Sequence, residues 1–443
     1  MLNKNRLTRI LLTVIGILIL AVAIYNIPYI NQKLSWRLDA LRTQVIYFFR
    51  PPEQAVFVPT QRAIVESTPT TAPTKTPTPE PSPTLEGPTI TPTITPTPLP
   101  ANVNLPGVKY VDQHERWNYC GPANLTMALN FWGWKGNRDD IAKVIKPGEN
   151  DPKKGFIDRG KTDKNVMPYE MADFVQLQTE YNVVLRYGGE MDLIKRLLAA
   201  GFPVMIEKGY FERDYTGKIS WLGHYLFITG YDDSQGGFIV QDAYLKPGKN
   251  LISKYEIFQE GWRSFNFLFM VVYPPDREQE VFTLLGDWLD PVWANRHALE
   301  IADAEIKTLT GMDAFFAWFN KGTSHVQLTE YGDAATAYDK AFGIYATLGQ
   351  DDKQRPYRIM WYQTGPYWAY FYTGRYQDVV DLANTTFKTV DKPTLEESLY
   401  WRAMGEYALG QGAIAIEDMR KAVYYNPNFA AGLARLSEWG GIP

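Results

Sequence analysis

The stretch "TPTTAPTKTPTPEPSPTLEGPTITPTITPTPLP", residues 68–100, sets the limits on how this chain folds. It holds 11 prolines and 12 threonines. Proline donates no backbone N–H, and the stretch has too little apolar surface to offset the entropy lost on ordering. Repeated Thr-Pro steps favour extended polyproline II, which at roughly 3.1 Å per residue reaches on the order of 100 Å. Compact structure is therefore expected on either side of it. The stretch itself reads as a spacer that lifts a domain off a membrane, with O-linked sugars as an open addition.

Upstream, Lys4, Arg6 and Arg9 precede the apolar run Ile10 to Ile24, which continues less cleanly past Asn26 and Pro28 to Ile30. No clean small-x-small cleavage site follows. Residues 1–31 therefore read as a cytoplasmic tip and an uncleaved transmembrane signal-anchor rather than a removed signal peptide. Lys33, Arg37 and Arg42 behind the run weaken the positive-inside bias. Orientation rests instead on the spacer, which places everything beyond residue 101 outside the cytoplasm. Residues 32–101 are a juxtamembrane segment and linker. In it Leu34, Leu38, Leu41 and Val45 have helical spacing, which suits a helix on the lipid surface and equally one that extends the anchor.

Downstream, residues 102–280 mix both periodicities. Helices are expected from Cys120, over 168–180, and over 190–200 up to Gly201. Strands are expected in "FPVMIEK", "HYLFITGYD", "GFIVQDAY" and "FNFLFMVVY". The pattern predicts an α+β domain with an antiparallel sheet after its helices. From 285 to 443 the chain reads as all-α. Trp318, Gly322, Ala334, Tyr338 and Ala341 follow tetratricopeptide spacing, with partial matches after Gly374 and Gly410; a generic bundle remains the alternative. A net charge of −4 and a pI near 5.8 give no electrostatic footprint for nucleic acid.

Cys120, in "WNYCGPAN", is the only cysteine among 443 residues. It has no partner for an intramolecular disulfide, so it is buried, paired between chains, or reactive. Pro122 suits a helix's first turn, which puts Cys120 at a helix N-terminus where free amides and the dipole favour a thiolate. Gly121 is expected to leave room for a substrate carbonyl. A base must come from His114, His224, His297 or His325. His224 opens an apolar strand without a packing role, and folding back at Asp232–Gly237 brings Asp242 to its level. Their separation of 18 is even, so a regular hairpin would put both on one face, and a bulge would break that register. An aspartate there would orient the imidazole. A Gln113 amide would share an oxyanion with the Cys120 N–H. His114 competes as base but lacks an acidic partner in a paired strand.

Gln113, "YCGPA" opening a helix, "GHYLFITGYD" and "QDAY" together resemble the C39-like family of papain-like cysteine peptidases, over about 107–275. The resemblance implies a papain-like domain with a helix carrying the cysteine and a sheet carrying His and Asp. It also implies an oxyanion role for Gln113, a triad of Cys120, His224 and Asp242, and hydrolysis of peptide bonds. No ATP-binding cassette or polytopic transporter region accompanies it, so leader-peptide cleavage after Gly-Gly does not carry over. The segment 209–221 reads as a rim loop or as packing. Asn124-Leu125-Thr126 matches a glycosylation sequon, but inside the helix. No metal-ligand cluster or phosphate loop is seen, and no cofactor is expected. The expected partners are a peptide or protein substrate, a membrane through the N-terminal helix, and a protein docked on the helical repeats, with no nucleic acid. A silent binding module acting as a surface adaptor, and an acyl or peptidyl transferase using the same thioester, remain alternatives.

Overall fold

The computed structural model describes residues 4–49, 55–60, 98–213, 219–349 and 355–443. The centre of the molecule is a seven-stranded antiparallel sheet. Its strands are β1 (Asn102–Asn104), β2 (Asn182–Arg186), β3 (Val204–Arg213), β4 (Ile219–Asp232), β5 (Gly237–Gln241), β6 (Leu251–Lys254) and β7 (Phe269–Tyr273). Their order is β2-β7-β3-β4-β5-β6, with β1 added to the far end of β4. Gly230 is required there, because a Cβ would come within 2.2 Å of the Val103 carbonyl oxygen.

Both faces of the sheet are covered, which explains why its strands read as near-continuous apolar runs. Met205, Tyr225, Phe227, Met270 and Val272 point to the helices Cys120–Phe131, Arg138–Ile145 and Pro168–Gln178. The alternate positions Val204, Ile206, Leu226, Ile228 and Val271 pack with helices Met191–Ala199 and Tyr255–Arg263. This second core also takes in Val281, Leu285 and Ala294, so packing on the sheet continues past residue 285.

Beyond it the chain is helical. Gly311–Gln327 pairs with Tyr331–Thr347, Gly365–Tyr372 with Tyr376–Phe387, and Glu396–Ala408 with Gly412–Tyr425. Gly322 and Tyr338 pack closely between the first pair; a Cβ on Gly322 would lie 2.7 Å from the tyrosine ring. The helical core reaches into the sheet domain through Trp221, whose ring lies 5.9 Å from Phe265, 5.8 Å from Phe316 and 5.9 Å from Tyr362.

The N-terminal expectations change. The apolar run lies in a helix, Lys4–Tyr25, with side chains from Leu11 to Ile24 exposed. Among the described residues, however, no helix is long and apolar enough to cross a membrane. Leu11–Tyr25 makes about 22 Å of helix at roughly 1.5 Å per residue, against a hydrocarbon thickness of roughly 30 Å. Leu34, Leu38, Leu41 and Val45 sit exposed on a second helix, Pro28–Phe49.

Residues 61–97, which include most of the Thr/Pro stretch, lie outside the described residues. The described residues on either side of them are held on the folded body. Phe57 is buried in the helical core, edge-on to Phe342 at 5.1 Å, and Thr60 donates from N and Oγ1 to Asp378 Oδ1 at 3.1 and 2.6 Å. At the other end Tyr231 Oη donates to the Pro100 carbonyl at 2.7 Å. Of the supposed rim loop 209–221, residues 214–218 lie outside the described residues. The rest is strand, with Trp221 in the core.

Candidate active site

Helix Cys120–Phe131 begins at the lone cysteine. Cys120 is its first residue, so its N–H has no intrahelical acceptor by position. Gly121 has a different role from the one expected. A Cβ there would lie 3.2 Å from Val166 and 3.4 Å from Met171 sulfur, so glycine allows close packing rather than substrate access.

β4 brings His224 to this helix, and both His224 and Asp242 are buried. His224 Nε2 lies 2.9 Å from Asp242 Oδ1, which leaves Nδ1 for the thiol. Asp242 Oδ1 also accepts from the Tyr244 and Leu245 N–H groups at 2.8 and 3.1 Å. The register that makes this contact depends on the bulge. From the turn, pairing runs Asp232↔Gly237 to Gly230↔Ile239, then shifts to Ile228↔Val240 and Phe227↔Gln241. One step further, Asp242 falls opposite Leu226, on the same face as His224. The unshifted register would set it opposite Phe227 and on the wrong face. Even spacing alone was insufficient, and the bulge supplies the correction. Gln241, beside it, donates to Thr229 Oγ1, the bulged residue, at 2.9 Å.

The electrostatics follow from these contacts. Burial opposes ionisation of the Cys120 thiol. Its hydrogen bond to His224, the imidazolium charge, and the backbone at Tyr225 and Gly121 outweigh that and hold it below the usual thiol range. Burial likewise disfavours charge on His224, but the Asp242 carboxylate and the Cys120 contact raise it to about 10. Asp242, despite burial, is held at about 2 by His224 and the two N–H groups. The resting arrangement is a thiolate–imidazolium pair backed by a carboxylate.

Gln113 lines the same cavity, and its Oε1 finds no hydrogen-bond partner among the described residues. His114 sits elsewhere: its Nε2 lies 2.9 Å from the Tyr244 carbonyl oxygen and its Nδ1 3.4 Å from Asp112. Buried Asn124 was passed over in the sequence except as a sequon. Its Nδ2 donates to the Cys120 carbonyl at 2.8 Å and to the Tyr225 carbonyl at 3.0 Å, clamping the cysteine helix to the histidine strand. That burial leaves no surface for a glycan.

Two further features had no counterpart in the sequence reading. The cavity around Cys120, of about 90 Å³, is walled on one side by Arg358, Trp361 and Tyr362 of the helical region. Gln363 Nε2 donates to the Ser264 carbonyl at 2.6 Å, and Asn165 Nδ2 donates to the Trp361 carbonyl, which fixes this wall on the sheet domain. The second feature is Glu207 on β3, 2% exposed, whose Oε2 has no partner among the described residues. Its signal was a charge inside "FPVMIEK" at the parity of Met205, which faces the core.

Among the described residues one cluster, His325, Glu330 and Asp333, has metal-capable geometry. Glu330 already pairs with Arg296 and, at 2.7 Å, with His325.

No curated protein matches the chain. Solved structures similar to it include a C39-like peptidase from Bacillus anthracis, with 17% identity, 39% of this chain and 96% of that one covered, and a TM-score of 0.30. The peptidase domain of Streptococcus ComA, a bifunctional ABC transporter, shares 15% identity over 38% of this chain and 99% of that one, at a TM-score of 0.28. Xylellain, a cysteine protease from Xylella fastidiosa, shares 18% identity over 40% and 87%, at 0.27. The model of the Peptidase_C39 like family matches residues 106–270, the segment that runs from before Gln113 through Cys120, His224 and Asp242 into β7. By that match residues 106–270 are similar to the Peptidase_C39 like family.

Proposed function

We propose that the chain is a cysteine peptidase that hydrolyses peptide bonds through a Cys120 thioester. The observation that carries this reading is His224 held between the thiol and Asp242. Cys120 Sγ attacks the carbonyl carbon, and the oxyanion is held by the Cys120 N–H and the Gln113 amide. Imidazolium Nδ1–H of His224 passes its proton to the departing amine as the C–N bond breaks. Water, deprotonated by the now neutral imidazole, then cleaves the thioester and restores the thiolate. Asp242 stays ionised throughout and fixes the ring.

Membrane attachment through the exposed apolar helix, an extracytoplasmic domain, and tetratricopeptide-like docking by the paired helices belong to the same proposal. The first is supported by the exposure of Leu11 to Ile24 and the last by the Gly322–Tyr338 packing. Extraction of the full chain from membranes by alkaline carbonate would count against the anchor.

The test of catalysis is iodoacetamide labelling across pH, with peptide turnover followed in parallel. Wild type should label well below the ordinary thiol pKa of about 8.5, with a rate that falls as pH drops through the lowered Cys120 value. His224→Ala should remove that enhancement and abolish turnover. Labelling no faster than a model thiol would sink the reading.

A further inference from the structure

The cavity around the thiol does not end at the thiol. Glu207 and Tyr362 line it and also line a second cavity of about 390 Å³ between the sheet domain and the helical region. Tyr169, Thr364 and Trp368 line that cavity and also a third, of about 630 Å³, further along the same seam. The shared lining residues place the three cavities side by side along the seam, starting from Cys120.

The chemistry of this path changes along its length. Of these three cavities, only the one at the thiol is lined by lysine or arginine: Lys161, Lys164 and Arg358. Neither outer cavity is lined by a lysine or arginine among the described residues, whereas Glu207 borders the second and Glu170, Asp173 and Glu397 line the third. Rings of Tyr169, Trp368 and Trp401 stand beside these carboxylates. Carboxylates and aromatic faces without a resident cation form a surface for a cationic side chain carried on an apolar stem. Glu207 is the most constrained of the four: buried, with one carboxylate oxygen unpartnered, at the junction of the first two cavities. Tyr225 hydrogen-bonds the carboxyl, but its Oε2 is buried with no partner among the described residues, which is costly unless something satisfies it.

We propose that the seam between the sheet domain and the helical region is the substrate groove, and that Glu207 selects a lysine or arginine in the peptide flank that enters it. The helical region is then part of the peptidase's specificity, not only a docking module. This rests on the peptidase reading above. Burial, with the Cys120 charge next, pushes the Glu207 carboxyl well above its usual range in the empty groove. A cation arriving there lets it ionise.

The test uses the full chain and peptides identical except for Lys, Arg, Leu or Glu at each position around the scissile bond. Binding is read by fluorescence anisotropy on Cys120→Ala, and cleavage by mass spectrometry on the active protein. Lys or Arg at one position should improve binding and cleavage about tenfold over Glu. Glu207→Gln, which keeps the shape, should reduce that preference to less than about threefold, and Glu170→Gln should weaken it less. Equal binding of Lys and Glu peptides, binding of neither, or an undiminished preference in Glu207→Gln overturns the proposal. Selective binding by Cys120→Ala without turnover in the active protein would sink the peptidase reading and leave the groove standing.

Discussion

Two carboxylates sit on strands either side of β4, and each is 2% exposed. Asp242, just past the end of β5, meets His224 and two backbone N–H groups and is ionised down to about pH 2. Glu207, within β3, pairs in register with Tyr225, keeps one oxygen unmatched, and is pushed well up, first by burial and then by the Cys120 charge. Burial is the same, so burial does not decide the charge state. The donors within reach do. One sheet thus holds a carboxylate kept ionised beside His224 and another pushed toward its neutral form.

That contrast is broken most forcefully at Asp242. Asp242→Asn removes the charge that raises His224, whose pKa should fall from about 10 toward its ordinary 6.5. Turnover should drop on the order of 10²–10⁴-fold, and the alkaline limb of the turnover profile should move to lower pH. An unchanged limb would show that Asp242 does not set the imidazole.

Asn124→Ala tests the frame on which both carboxylates depend, because Asn124 ties the Tyr225 backbone to the cysteine helix. The loss of two buried hydrogen bonds should cost about 2 kcal/mol in denaturant unfolding. A thermal or urea midpoint equal to wild type would remove the clamp from the account.

The effect expected at Glu207 has the opposite sign and appears only as pH is varied. A carboxyl whose folded pKa lies above its unfolded value binds more protons when folded. It therefore costs stability as pH rises from about 4.5 toward the folded value. Glu207→Gln abolishes that loss, so the variant should gain on wild type by up to about 1.4 kcal/mol per pH unit over this window. Parallel stability curves from pH 5 to 7 would mean that Glu207 has a partner after all.

Much of the site was legible because its signals are local. A cysteine before Gly-Pro marks a helix start, and the helix begins there. Pro168 and Gly201 bracket helices through the fixed φ of proline and the left-handed φ of +88° at Gly201. The short strands Asn102–Asn104 and Leu251–Lys254 and the helix Tyr255–Arg263 escaped, being brief or masked by aromatic residues. Asn124 and Glu207 were visible only as oddities, a polar residue in a helix and a charge in an apolar strand.

By itself the sequence singled out the candidate site residues and the local structure that holds them, since propensity, proline geometry and alternation act over a few neighbours. Tertiary structure decided the rest. A one-residue bulge set the face on which Asp242 meets His224, and residues more than 230 positions beyond Cys120 became the wall of its cavity. Register and distant packing are fixed by the burial of whole surfaces, and no window of sequence contains both partners. Phe57 makes the same point: within residues 32–101 it reads as linker until the helical core that buries it is present.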